Sequence, residues 1–281
     1  MISTLTVLAL LCYVLTAASY GASLFLHAPD SPVIPAQPER LSKLGRPLLF
    51  FGIVLQFAAI GVWCAKTHRS PFASDFGTLS VSAWGIAIVF ALMDLRRKLP
   101  ALGALALALA SLLLLRGLLL FRAPITEAQI IANRLVSLHV LAILFSFALF
   151  VIAFGAAVLY LVQNHLLKQR QIGGLFRRLP PLDTLDRTAF HSVAYALPLL
   201  TLGITLGFVQ VMTASPKFSL AAWFGDAHTL MSLAAWLLYV FYFVVRLASG
   251  WRGIRLQYVL IFGLAVVLSL YIMPTSMHRF P

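Results

Sequence analysis

Apolar positions run almost without interruption through eight stretches of the chain, about residues 3–26, 47–65, 77–95, 100–121, 136–163, 189–213, 228–248 and 256–274. A helix needs roughly 20 mostly apolar residues to cross the hydrocarbon core. None of the stretches alternates apolar and polar positions as the short strands of a barrel do. The pattern therefore predicts an all-α polytopic membrane helix bundle with about eight transmembrane helices. Polar and helix-breaking segments separate the stretches: "HAPDSPVIPAQPERLSKLGRP", "RRKLP", "LPPLDTLDR" and "GWRG". The first stretch has no basic leader and a long apolar run, so it reads as a retained helix and not as a cleaved signal peptide. No room remains for a soluble domain, and residues 1–281 read as a single integral membrane domain.

Composition supports this. The chain is 61% hydrophobic and 10% charged, where a soluble domain carries about 25% charged residues. Its mean hydropathy is +0.96. The formal charge of +13 would suggest nucleic acid in a soluble protein, but there is no basic face and no binding motif. The basic residues act instead as topology signals. Fourteen of the 21 Lys and Arg residues follow odd-numbered spans. Basic loops favour the cytoplasm, so both termini are expected in the periplasm of a bacterial inner membrane. The longest inner loop, 164–188, is strongly basic and is expected against anionic lipid headgroups. Cys12 and Cys64 are single residues inside apolar runs, which argues against a disulfide framework, the common zinc sites and covalently attached heme.

Few residues carry chemistry. There is no Walker loop, HExxH or GxSxG motif, so no enzyme activity is expected. Asp94 ends the third span beside Arg96, Arg97 and Lys98 and reads as part of an interface ion pair. Arg116 lies deeper; it either snorkels outward or meets an anionic ligand group. Four of the seven histidines fall on the outer side, a count that shows nothing by itself. Three of them, His139, His228 and His278, lie at outer helix ends and could converge on one pocket. Neutral imidazole is a metal ligand and an axial ligand of heme iron, and facing helices in a bundle can hold two such rings. Asp226 stands two residues before His228. Side chains so spaced do not face each other on a helix, so Asp226 reads either as a helix N-cap or as a carboxylate supporting an imidazole. Trp223 and the aromatics from Trp236 to Phe243 read as interface or packing residues that could also line a porphyrin face. The "GITLG" of the sixth span permits close helix contact. A transporter would ask for ionisable residues along an aqueous path, and the spans offer few beyond Arg116. From residues alone, the chain is an eight-span membrane protein with a candidate outer-leaflet imidazole site.

The segment "LDTLDRTAFHSVAYALPLLTLGITLG" (182–207) resembles the L-D-x-L-x-x-R stretch, followed by P-L-L-T-x-G-I-x-x-G, of the cytochrome c assembly heme-handling membrane proteins. "SLHVLAILFSFALFVIAFGAAVLYL" (137–161) is similar to that family's first outer-histidine segment, and "SLAAWLLYVFYFVVRLASGWRG" (232–253) resembles the helix after its tryptophan-rich motif. The resemblance is strongest over 135–281. It implies heme b as cofactor, with His139 and His278 as axial ligands and His228 as a substitute or supporting imidazole. The resemblance also implies binding or passage of heme near the periplasmic face. One departure is clear. Heme-exporting members carry W-G-x-x-W-x-W-D-P-K before the seventh span. Here Asp226 takes the place of the motif's Asp, only "AAWFG" stands upstream, and His228 stands where Lys is usual. The chain thus resembles the shorter HemX-like and YpjD-like branch. That branch implies an alternative function: a membrane regulator or scaffold, docked through loop 164–188 on a tetrapyrrole-synthesis or cytochrome-biogenesis protein.

Overall fold

The computed structural model describes residues 1–25, 37–68, 70–97, 99–121, 134–171, 173–214 and 219–270. These residues are helical almost throughout, with no strand among them. Among the described residues, seven helices are long and apolar enough to span a bilayer: α1 (Ile2–Phe25), α2 (Gln37–Thr67), α3 (Asp75–Arg97), α4 (Pro100–Leu119), α5 (Arg134–Lys168), α7 (Leu182–Ala214) and α9 (Ala227–Ala248). Two short helices, α6 (Leu175–Arg178) and α8 (Leu220–Gly225), lie between them. The eighth apolar stretch forms α10 (Ile254–Ser269), which has 16 residues. The predicted polytopic α-helical membrane bundle is thus the observed fold. Leu11, Val54, Phe57, Leu202 and Phe241 are exposed on the long helices, and Phe262 is exposed on α10. An apolar exterior of that kind suits lipid, and water would penalise it.

By its internal contacts the chain forms two compact units, Met1–Ala132 with Val162–Thr184, and Asn133–Leu161 with Leu185–Pro281. In the first, α1 packs on α2 and α4, and α3 packs on α4. Small residues let the backbones approach. A Cβ on Gly103 of α4 would lie 2.3 Å from the Phe90 ring of α3, and that ring meets Tyr20 of α1 edge-on at 6.0 Å. The buried carboxylate of Asp94 accepts from Arg46 Nε at 2.6 Å and from the Leu99 backbone N–H at 3.0 Å. The expected ion pair therefore exists, with a cation from α2.

The second unit holds α8, α9, α10 and most of α5 and α7. Phe150 of α5 stacks on Tyr239 of α9 at 3.6 Å. Ser146 Oγ donates to the Ala196 carbonyl at 2.9 Å, which ties α5 to α7. Near the start of α7, Asp186 forms a two-pronged ion pair with Arg246 of α9, and Gln257 of α10 donates to the same carboxylate at 3.2 Å. Both charged side chains are only 8% exposed. Charges with so little water require such a partner.

Candidate functional site

At the other end of the second unit, the start of α5, the end of α7 and the start of α9 meet. The chain leaves α8 at Gly225 and turns through Asp226, whose backbone is extended (φ −74°, ψ 123°). Its carboxylate accepts from the Thr229 backbone N–H at 3.0 Å and from the Thr229 hydroxyl at 3.2 Å. Asp226 is thus the N-cap of α9. The first turn of a helix has N–H groups without intrahelical acceptors, and a carboxylate there satisfies one of them. With Asp226 fixed, His228 falls in the first turn of α9, and its carbonyl accepts from Ser232 Oγ at 2.8 Å.

His139 lies in the second turn of α5. Its Nδ1 is 2.6 Å from the carbonyl oxygen of Gly203 on α7. A carbonyl only accepts, so Nδ1 carries the proton, and in the neutral ring Nε2 is the basic nitrogen. The ring lies directly against Gly207, where a Cβ would come 2.6 Å from its Cε1. The "GITLG" motif is therefore more than a helix contact: it is the surface on which this imidazole rests.

His139, His228 and Trp223 line one cleft, together with Ile143, Gly207 and Phe208. Trp223 stands edge-on to Phe208, with ring centres 5.0 Å apart. The cleft encloses about 60 Å³, little for a whole organic ligand, since such sites commonly measure about 300–1,000 Å³. A larger groove of about 530 Å³ lies along Pro198, Thr201, Thr205 and Phe243. It offers hydroxyls but no titratable group. Thr201 and Thr205 already donate within their own helix, so the imidazole cleft has the richer chemistry.

The structure thus brings together His139, His228 and Trp223 of the residues expected at the site. Asp226 stands beside them as the cap and is 5% exposed. Arg116 belongs to the first unit, where it is exposed in the last turn of α4, and it is not one of the cleft's lining residues. A cation in that position suits the negative end of the helix dipole. His278 lies outside the described residues. Three contributors escaped the sequence reading: the Gly203 carbonyl, the bare surface of Gly207, and Phe208. Only the glycine spacing hinted at the first two, and nothing in the sequence marked Phe208.

The family model described as cytochrome C assembly protein matches residues 72–279. A cytochrome c biogenesis protein CcsA of Guillardia theta is 24% identical over 232 residues, covering 76% of each chain. A HemX protein of Brevibacillus brevis is 27% identical over 222 residues, covering 78% of this chain and 79% of its own. A HemX protein of Bacillus subtilis is 32% identical over 127 residues, covering 45% of this chain and 44% of its own.

Proposed function

From the premise that this chain belongs to the cytochrome c assembly protein family, in its HemX-like branch, we propose that it binds or passes heme b near the periplasmic face of a bacterial inner membrane. The observation that carries the proposal is the shared cleft. Imidazoles from two separate helices and an indole from a third line one space at the same end of the bundle. The donor chemistry fits heme, because a neutral imidazole with Nδ1 held by a carbonyl presents Nε2 to iron, as histidine ligands commonly do. When bound, heme would supply an iron that imidazole nitrogen can hold. His139 is the first ligand in this reading, and His278 or His228 the second. Trp223 and Phe208 offer aromatic edges to a flat macrocycle. At about 60 Å³ the cleft is too narrow to enclose a porphyrin, so in this reading its residues would hold the iron and not the whole macrocycle.

The test is direct. The protein, purified in detergent with and without added hemin, is expected to give a pyridine hemochrome spectrum of b-type heme. His139→Ala is expected to lower heme retention by about tenfold or more, in the range for loss of a metal ligand's support. His228→Ala and His278→Ala then decide which imidazole is the second ligand. Absence of b-type heme after loading, or unchanged retention in all three variants, would overturn the proposal.

A second reading has its own support in the basic segment between α5 and α7. α6 carries Arg177 and Arg178, and Arg178 Nη1 donates to the Leu24 carbonyl of α1 at 2.6 Å, which fixes this segment on the first unit. Such a surface could dock a tetrapyrrole-synthesis or cytochrome-biogenesis protein and regulate it without heme transport. Photocross-linking from residues 169–174 in native membranes separates the two sources of contact. A discrete protein adduct supports docking, and lipid adducts alone remove it.

A further inference from the structure

Helices α5 and α7 interlock through two residue pairs, each one helical turn apart. A Cβ on Gly203 would come 2.6 Å from Ile143 Cγ1. A Cβ on Gly207 would come 2.6 Å from His139 Cε1, 2.9 Å from Nδ1 and 3.4 Å from Nε2. Real side chains do not approach that closely, so no residue larger than glycine fits at 207 unless the ring moves. His139 and Ile143 are four residues apart on α5, as Gly203 and Gly207 are on α7, and residues so spaced share one helix face. The antiparallel register therefore sets the imidazole against one glycine and the isoleucine against the other.

The same register supplies the hydrogen bond. In a regular helix the Gly203 carbonyl is the acceptor for the Gly207 N–H. Nδ1 of His139, at 2.6 Å, is a second donor to that oxygen. It can reach because the imidazole occupies the space that a side chain at 207 would take. Sterics and tautomer are thus coupled: the gap at Gly207 admits the ring, and the Gly203 carbonyl decides which nitrogen holds the proton.

We propose that Gly203 and Gly207 are positioning residues for His139: they fix its ring in the Nδ1–H tautomer and hold Nε2 as the basic nitrogen at the cleft. The value of this arrangement to a heme ligand rests on the function proposed above, whereas the arrangement itself can be tested without heme.

Two sets of variants test it. In the heme-free protein, ¹⁵N-histidine NMR is expected to show His139 as the Nδ1–H tautomer, and Gly207→Ala is expected to lose that signature. With added hemin, Gly207→Ala is expected to lower retention by about tenfold, as loss of an outer partner does at metal sites. The double variant Gly203→Ala/Ile143→Ala relieves the other clash and is expected to keep both the tautomer and the retention. If Gly207→Ala does not fold, Gly207→Ala/His139→Ala is expected to match His139→Ala in thermal stability, because the added methyl then fills the space the ring leaves. A folded Gly207→Ala protein with the wild-type tautomer would overturn the positioning role. So would a double variant much less stable than His139→Ala. A wild-type protein that shows the tautomer but takes up no hemin would overturn the heme reading and leave the positioning role standing.

Discussion

Asp226 shows how one carboxylate shapes the cleft by capping a helix. It ends α8, starts α9, and so places His228 in the first turn of a helix whose neighbour in the cleft is His139. Its carboxylate accepts from both the backbone N–H and the hydroxyl of Thr229. Asp226→Ala removes the acceptor for a first-turn N–H and is expected to lower unfolding stability by about 1 kcal/mol, the usual value of an N-cap. Asp226→Asn keeps an acceptor oxygen at the same place and is expected to lose much less. Chemical denaturation in detergent, compared across the three proteins, measures this. Equal stability of the Ala and wild-type proteins would show that the cap contributes nothing. His139 presents a different residue-scale lesson. Its position near a helix end was legible in the sequence, but its tautomer was not, because the tautomer depends on a carbonyl 64 residues away.

At the scale of elements, hydropathy marked the long helices well because lipid demands continuous apolar length. The ends were harder to read. Helix α7 begins at Leu182, seven residues before the apolar run at 189, because the polar "LDTLDRT" turn is helical. Its Asp186 is buried against Arg246 and Gln257, so a stretch that reads as loop becomes part of the core. The signal available in the sequence was Arg246 itself, a cation near the end of an apolar helix and therefore in need of a partner. Helix α2 runs through Pro47, where the sequence suggested a start, because the chain before the proline is already helical. The α7–α9–α10 junction yields a prediction at this scale. Arg246→Met strands the Asp186 carboxylate with one amide donor and is expected to cost about 3–5 kcal/mol, the usual penalty for breaking a buried pair. Asp186→Asn/Arg246→Met removes both charges, and a double-mutant cycle on thermal unfolding is expected to recover a large part of that loss. A double variant as unstable as the single one would mean that the ion pair does not set the junction's stability.

For the whole molecule, the family match and the helix pattern agree on a multi-pass membrane protein, and sidedness decides what its cleft can do. An imidazole cleft at the periplasmic end could deliver heme to the compartment where cytochrome c is assembled; the same cleft at the cytoplasmic end would face heme synthesis. The charge argument for sidedness is independent of the cleft. The turn between α5 and α7 carries Lys168, Arg170, Arg177 and Arg178, and exposed basic loops stay on the cytoplasmic side. His139 lies near the opposite end of α5, 29 residues before Lys168 in a continuous helix of 35. At 1.5 Å per residue that separation is about 44 Å, comparable to the full thickness of a bilayer with its headgroups, about 40–45 Å. If the basic turn is cytoplasmic, the cleft must therefore be periplasmic. Single-cysteine variants at residues 171 and 225 are to be probed in intact cells with a membrane-impermeant maleimide. The cysteine at 225 is expected to label without permeabilisation, and the one at 171 only after it. The reverse pattern would place the cleft in the cytoplasmic leaflet, and a periplasmic role in heme delivery would fall with it, whatever hemin the purified protein binds.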